Sequence, residues 1–120
     1  MIDATRQALH DQRSRLQGAL ARELGGIYRR CDVGDKADVD DVVAHALSVH
    51  GRIDVLVNVA GGSGPIGKTG WETTEEEFDE IVDLNMRGCF NTMRACLPSM
   101  IAQQGGKIVN VGGSDAPWVA

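Results

Sequence analysis

Lysine is scarce in this sequence. Only Lys36, Lys68 and Lys107 occur among 120 residues, and the net charge is -5. A nucleic-acid surface needs clustered Lys and Arg, so no nucleic-acid partner is expected. No apolar run reaches the ~18 residues of a membrane span, so no membrane partner is expected either. The N-terminal stretch from Met1 to Arg6 is too polar for a secretory leader. Cys31, Cys89 and Cys96 are odd in number and lack metal-ligand spacing. They read as buried thiols of a reducing, cytoplasmic protein. His45 and His50 have no Asp, Cys or third His at a ligand spacing, so no metal is expected. There is a single tyrosine, Tyr28.

What is present suits one soluble globular domain, with 42% hydrophobic and 24% charged residues. The spacing of Leu9, Leu16, Leu20 and Leu24 predicts an amphipathic helix over 3–24, stopped at Gly25-Gly26. Residues 27–31 read as a short strand, its two arginines suiting a sheet edge. Val39, Val42, Val43, Ala46 and Val49 give a second helix over about 37–50, capped by Asp35 or Asp38. The stretch 53–59 is nearly all apolar and runs into Ala60, Gly61 and Gly62. Such a run predicts a parallel strand buried on both faces. Ligands of parallel sheets sit past the carboxyl ends of the strands, so 58–62 is the expected ligand face.

Ser63 to Trp71 reads as a connector rich in glycine. Thr73 or Thr74 caps the next helix, with Glu76 or Glu77 closing the box; this accounts for the acidic cluster. Asn85 interrupts the following helical pattern. Its amide competes for backbone hydrogen bonds, so its place there points to function. A long helix runs over 89–103, with an apolar face of Phe90, Met93, Cys96, Leu97 and Met100 and a kink expected at Pro98, which removes a backbone donor. Gly105-Gly106 ends it, and 107–111 is another buried strand.

Four stretches together resemble the short-chain dehydrogenases/reductases: Asp32-Val33, Asn58-Val59-Ala60-Gly61, Leu84-Asn85-Met86-Arg87-Gly88 and Ile108-Val109-Asn110-Val111. The resemblance covers roughly 20–114. It implies an α/β fold, a partial Rossmann-like doubly wound parallel sheet holding the family's strands three, four and five, flanked by helices. It implies one incomplete domain over 1–120: an N-terminal helix (1–24), a core (27–114) and a tail (115–120). By resemblance the cofactor is NAD or NADP, contacted by Asp32, Val33, Asn58, Ala60, Gly61, Gly62 and Val111. The substrate class is a small carbonyl or alcohol. Asn85 would distort its helix and expose a carbonyl for the proton relay. The family's catalytic serine falls on Gly113, so either Ser114 moves into its place or that serine is absent. Helix 86–103 would serve a homo-oligomer.

Two features of the family are missing from these residues: the Thr-Gly-x-x-x-Gly-x-Gly loop and Tyr-x-x-x-Lys. Hydride transfer needs a proton donor, and the Tyr-Lys pair supplies it in the family. Catalysis by the chain alone is therefore expected to be lost or severely reduced. No measurable cofactor binding by the chain alone is expected, since the pyrophosphate loop is missing. The pattern suggests an internal portion of a longer enzyme; a degenerate, non-catalytic relative acting through helix association is the alternative.

Overall fold

The computed structural model describes residues 2–112, without the side chains of residues 2, 3 and 6. The chain divides into two compact units between Arg30 and Cys31.

The first unit is helix α1, Ile2–Glu23, and the segment after it. Gly25, at φ 72°, turns the chain, and the Gly26 N–H bonds to the Ala21 carbonyl. Tyr28 folds back on the helix, its hydroxyl donating to Ser14 Oγ at 3.2 Å. Residues 27–31 do not form the expected strand. A strand exists only through its ladder partner, and the sheet among the described residues holds two strands, neither of which pairs with this segment.

The second unit begins with a turn and helix α2, Lys36–His50. Asp35 is the cap that forms, accepting from the Ala37 N–H at 2.8 Å. Asp38 instead accepts from the Asp32 N–H. Gly51 closes the helix at φ 76°, a left-handed conformation that glycine adopts without strain. Strand β1 is Val55–Asn58. Helix α3, Glu75–Val82, starts with Thr74 and Glu77 closing a reciprocal capping box. A π-helical turn over Asp83–Arg87 leads into helix α4, Gly88–Ala102, which runs unbroken through Pro98. The left-handed residue after α4 is Gln104, at φ 58°, not one of the expected glycines. The Gly105 N–H reaches back to the Met100 carbonyl, and Gln103 Nε2 ties the loop to the Ile53 carbonyl at 2.7 Å. Gly106 is needed for space, since a Cβ there would lie 2.6 Å from Met100 Sδ.

Strand β2, Lys107–Asn110, pairs with β1 in parallel, Val57 opposite Val109 and Asn58 opposite Asn110. The two strands are neighbours with their carboxyl ends together, as expected. Helix α4 packs on β1 and α2 packs on α4. The buried apolar residues are Val39, Cys96 and Met100, which places the core between these helices and one face of the sheet. The expected burial on both faces is not found. Side chains alternate along a strand, and Val55, Val57 and Val109 remain about half exposed on the face away from α4.

Candidate functional site

Asn58 stands at the end of β1 with 8% of its surface exposed. A buried amide must find partners, and this one does. Its Nδ2 donates to Asn110 Oδ1 at 2.8 Å, and its Oδ1 accepts from Thr92 Oγ1 at 2.7 Å. Asn110 in turn donates to Met93 Sδ at 3.7 Å. The Asn58 side chain therefore locks both strand tips onto α4. The Val111 N–H continues the ladder to the Asn58 carbonyl at 2.8 Å, leaving the Val111 side chain exposed.

Beyond Asn58 the backbone opens. Ala60, Gly61 and Gly62 are exposed, and Asn85 holds them from the side. The Gly62 N–H donates to Asn85 Oδ1 at 3.1 Å, and Asn85 Nδ2 donates to the Gly62 carbonyl at 2.9 Å. The same Nδ2 reaches the Ile81 carbonyl at 3.0 Å. Asn85 thus competes for a helix carbonyl inside the π-helical turn, the distortion expected at this position. Gly61 is fitted to this contact; a Cβ there would come within 2.8 Å of Asn85 Oδ1. An Asp83–Arg87 ion pair staples the turn from outside.

Asp32 and Val33 reach the other side of the same turn. Asp32 makes a tight turn of its own, Oδ1 accepting from the Gly34 N–H at 2.9 Å. The Val33 carbonyl accepts from Asn91 Nδ2 at 2.9 Å. A Cβ on Gly88 would lie 2.6 Å from Val33 Cγ2, so the absence of a side chain at Gly88 lets Val33 sit down on α4. Burial raises the pKa of the neighbouring Cys31 thiol, and Asp38, Asp32 and Asp35 raise it further. Cys31 is therefore held as the thiol.

Between the 32–36 turn and the end of α3 lies an open crevice of about 510 Å³, lined by Asp32, Gly34, Asp35, Lys36, Glu80, Asp83 and Leu84. Lys36 is paired with Asp40. The lining is dominated by carboxylates, which suits a ligand amine and repels phosphate. The loop beyond Gly62 is fastened by Lys68, which pairs with Glu77 at 2.5 Å, and by Glu72 Oε2, which accepts from both the Thr69 N–H and its hydroxyl. Among the described residues, no group of three or more His, Cys, Asp and Glu is placed to hold a metal ion. Gly113 and Ser114 lie outside the described residues.

The structure brings Asp32, Val33, Asn85, Gly61 and Gly62 around one turn. Asn91 and Thr92 were missed by sequence reasoning. The signal available was the one that marked Asn85: a polar residue inside an otherwise apolar helix face.

The fold and site define a parallel α/β unit with its loops gathered at the carboxyl ends of the strands. The model of the short chain dehydrogenase family matches residues 2–117. Oxidoreductase UcpA of Salmonella typhimurium is 40% identical over 108 residues, covering 84% of this chain and 40% of its own. A short-chain dehydrogenase from Streptomyces avermitilis superposes with a TM-score of 0.75 at 31% identity, over 83% of this chain and 37% of that one. A metagenomic short-chain oxidoreductase solved in complex with NADP gives 0.70 at 29% identity, over 82% and 44%. Residues 2–117 place this chain in the short-chain dehydrogenase family. It spans about 40% of the length of UcpA.

Proposed function

We propose that this chain carries the adenine-side and turn-forming part of an NAD- or NADP-dependent oxidoreductase acting on a carbonyl or alcohol. The observation that carries the reading is the Asn85 amide, held on Gly62 inside a π-helical turn at the ligand face. When bound, the nicotinamide cofactor would give a hydride to the carbonyl or take one from the alcohol. Asp32 and Val33 would hold the adenine, while Ala60, Gly61, Gly62 and Val111 would line the backbone path beside it. Asn58 would act at one remove, through the strand tips it ties. Asn85 would keep the turn's backbone carbonyls open for a proton relay, and Ser114, one position past the family's serine in the sequence, would serve the substrate oxygen.

The chain has no Tyr-x-x-x-Lys to move a proton, so turnover by the chain alone is expected to be absent. Dinucleotide affinity is expected to be weaker than about 1 mM, since no glycine-rich loop cradles the pyrophosphate. The outward face of α4, with Phe90, Met93, Leu97 and Ile101 around Arg94, supports self-association through that helix. The reading places the protein in the cytoplasm; among the described residues no helix is long and apolar enough to cross a membrane.

A second reading, a non-catalytic relative acting through α4, is favoured by that same exposed face, where Phe90 is 54% and Ile101 72% exposed. Absorbance of NADH and NADPH with a panel of aldehydes, ketones and alcohols tests the first reading. No turnover is expected from the chain alone. Sustained turnover would contradict the role given to the missing tyrosine and lysine. Nucleotide-induced shifts in the amide spectrum at Val33 and Gly62 would support the oxidoreductase reading; concentration-dependent association with no nucleotide response would favour the second.

A further inference from the structure

Asn91 sits inside α4 with 3% of its surface exposed. An amide in a helix interior competes with the backbone and loses its hydration, so it persists only with partners. Both ends of this one are used. Nδ2 donates to the Val33 carbonyl, and Oδ1 accepts from Arg94 Nη2 at 3.0 Å. One turn back on the same face, Gly88 receives the Val33 side chain. The adjacent residue, Thr92, holds Asn58 at the tip of β1. Asn85 holds Gly62. The π-helical turn and the start of α4 thus fasten both walls of the ligand face, and Asn91 fastens the wall formed by Asp32 and Val33.

We infer that Asn91 is a positioning residue for adenine-nucleotide binding, setting where Asp32 and Val33 stand relative to Gly61 and Gly62. This rests on the nucleotide reading above. The 32–35 turn is otherwise held by short-range bonds, from the Asp32 N–H to Asp38, from the Gly34 N–H to Asp32 Oδ1 and from the Asp35 N–H to the Asp32 carbonyl. These bonds fix the shape of the turn. Together with the seat of Val33 on Gly88, the Asn91 bond sets its height over α4, and with it the direction from which the Asp32 carboxylate meets an adenine amine.

The test uses the full ¹⁵N-labelled chain and two half-ligands, 5′-AMP and nicotinamide mononucleotide, at millimolar concentration. In the wild type, AMP is expected to move the Val33 and Gly34 amides and the Asn91 side-chain amide on one binding curve. Asn91→Asp and Asn91→Leu keep the branching at Cγ and remove the donor. Each is expected to weaken AMP by roughly three- to tenfold, the size of one lost hydrogen bond. Shifts at Gly61 and Gly62 caused by nicotinamide mononucleotide are expected to stay unchanged. An unchanged AMP curve in the variants overturns the inference. Equal weakening of both half-ligands also overturns it, since that marks general loosening. Should neither variant keep the native spectrum, the wild-type Asn91 side-chain signal decides: a stationary signal while Val33 moves overturns the inference. A wild-type chain that ignores AMP altogether overturns this inference; the oxidoreductase reading, which expects little or no nucleotide binding by the chain alone, is judged separately.

Discussion

Asn85 and Gly62 exchange two hydrogen bonds, one in each direction, at 3.1 and 2.9 Å. A side-chain amide here pairs with a peptide group as a second strand would. The loop after β1 is thereby held against a π-helical turn 23 residues further along the chain. Asn85→Ala should cost about 1 kcal/mol in urea denaturation, the low end for lost bonds because Gly62 is exposed and water can replace the amide. Amide exchange at Gly62 should speed up more than exchange in β1. Unchanged exchange at Gly62 would contradict the pairing.

Gly88→Ala reverses the ordinary rule. Alanine in a helix interior normally gains about 1 kcal/mol over glycine. Here the new methyl would press on Val33, with 2.6 Å to Cγ2 and 3.2 Å to Cβ. Overpacking of that kind should destabilise by about 1–3 kcal/mol. The double variant with Val33→Ala should recover part of the loss, and thermal unfolding of the four proteins in the cycle reads the coupling.

Thr92→Val keeps shape and removes the hydroxyl that reaches Asn58 Oδ1. The acceptor is then left buried with no donor from α4, at a cost of about 1–3 kcal/mol. Chemical denaturation measures it; a loss within error would show that Asn58 does not depend on α4.

Acid should loosen the start of α3. The Glu77 pKa is lowered, first by the hydrogen bond from Lys68 and then by the Thr74 backbone N–H. A carboxyl group lowered in the folded state stabilises above its unfolded pKa, and that contribution is lost as pH falls through the folded value. Glu72 is lowered in the same direction by the Thr69 backbone N–H. Glu77→Gln should flatten the stability profile on the acid side of about pH 4.3. A variant profile with the wild-type slope would contradict the assignment.

These residues also show what a sequence can reveal. Asp35, Gly51 and the Thr74–Glu77 box are local: the capping partner lies within a few residues, so the pattern is visible in the string. Asn85 was visible as a polar residue placed against helix propensity, and it lies within the π-helical turn. The strand expected over 27–31 failed because pairing is decided by a distant partner, not by the strand's own residues. Asn91 and Thr92 escaped for the same reason. Their partners, Val33 and Asn58, are 58 and 34 residues away. Gly88 looked like part of a motif; its need for empty space became clear only with Val33 above it. The alternating exposure of Val55, Val57 and Val109 was hidden because an apolar run does not say how many of its faces are covered.

The central claim is that the Asp32–Val33 turn and the tip of β1 form one face for an adenine nucleotide. Intermolecular NOEs between the adenine ring protons of millimolar AMP and the methyl groups of the chain test it most directly. Contacts to the Val33 methyls are expected. Contacts confined to the opposite sheet face, at Val55, Val57 and Val109, would contradict it.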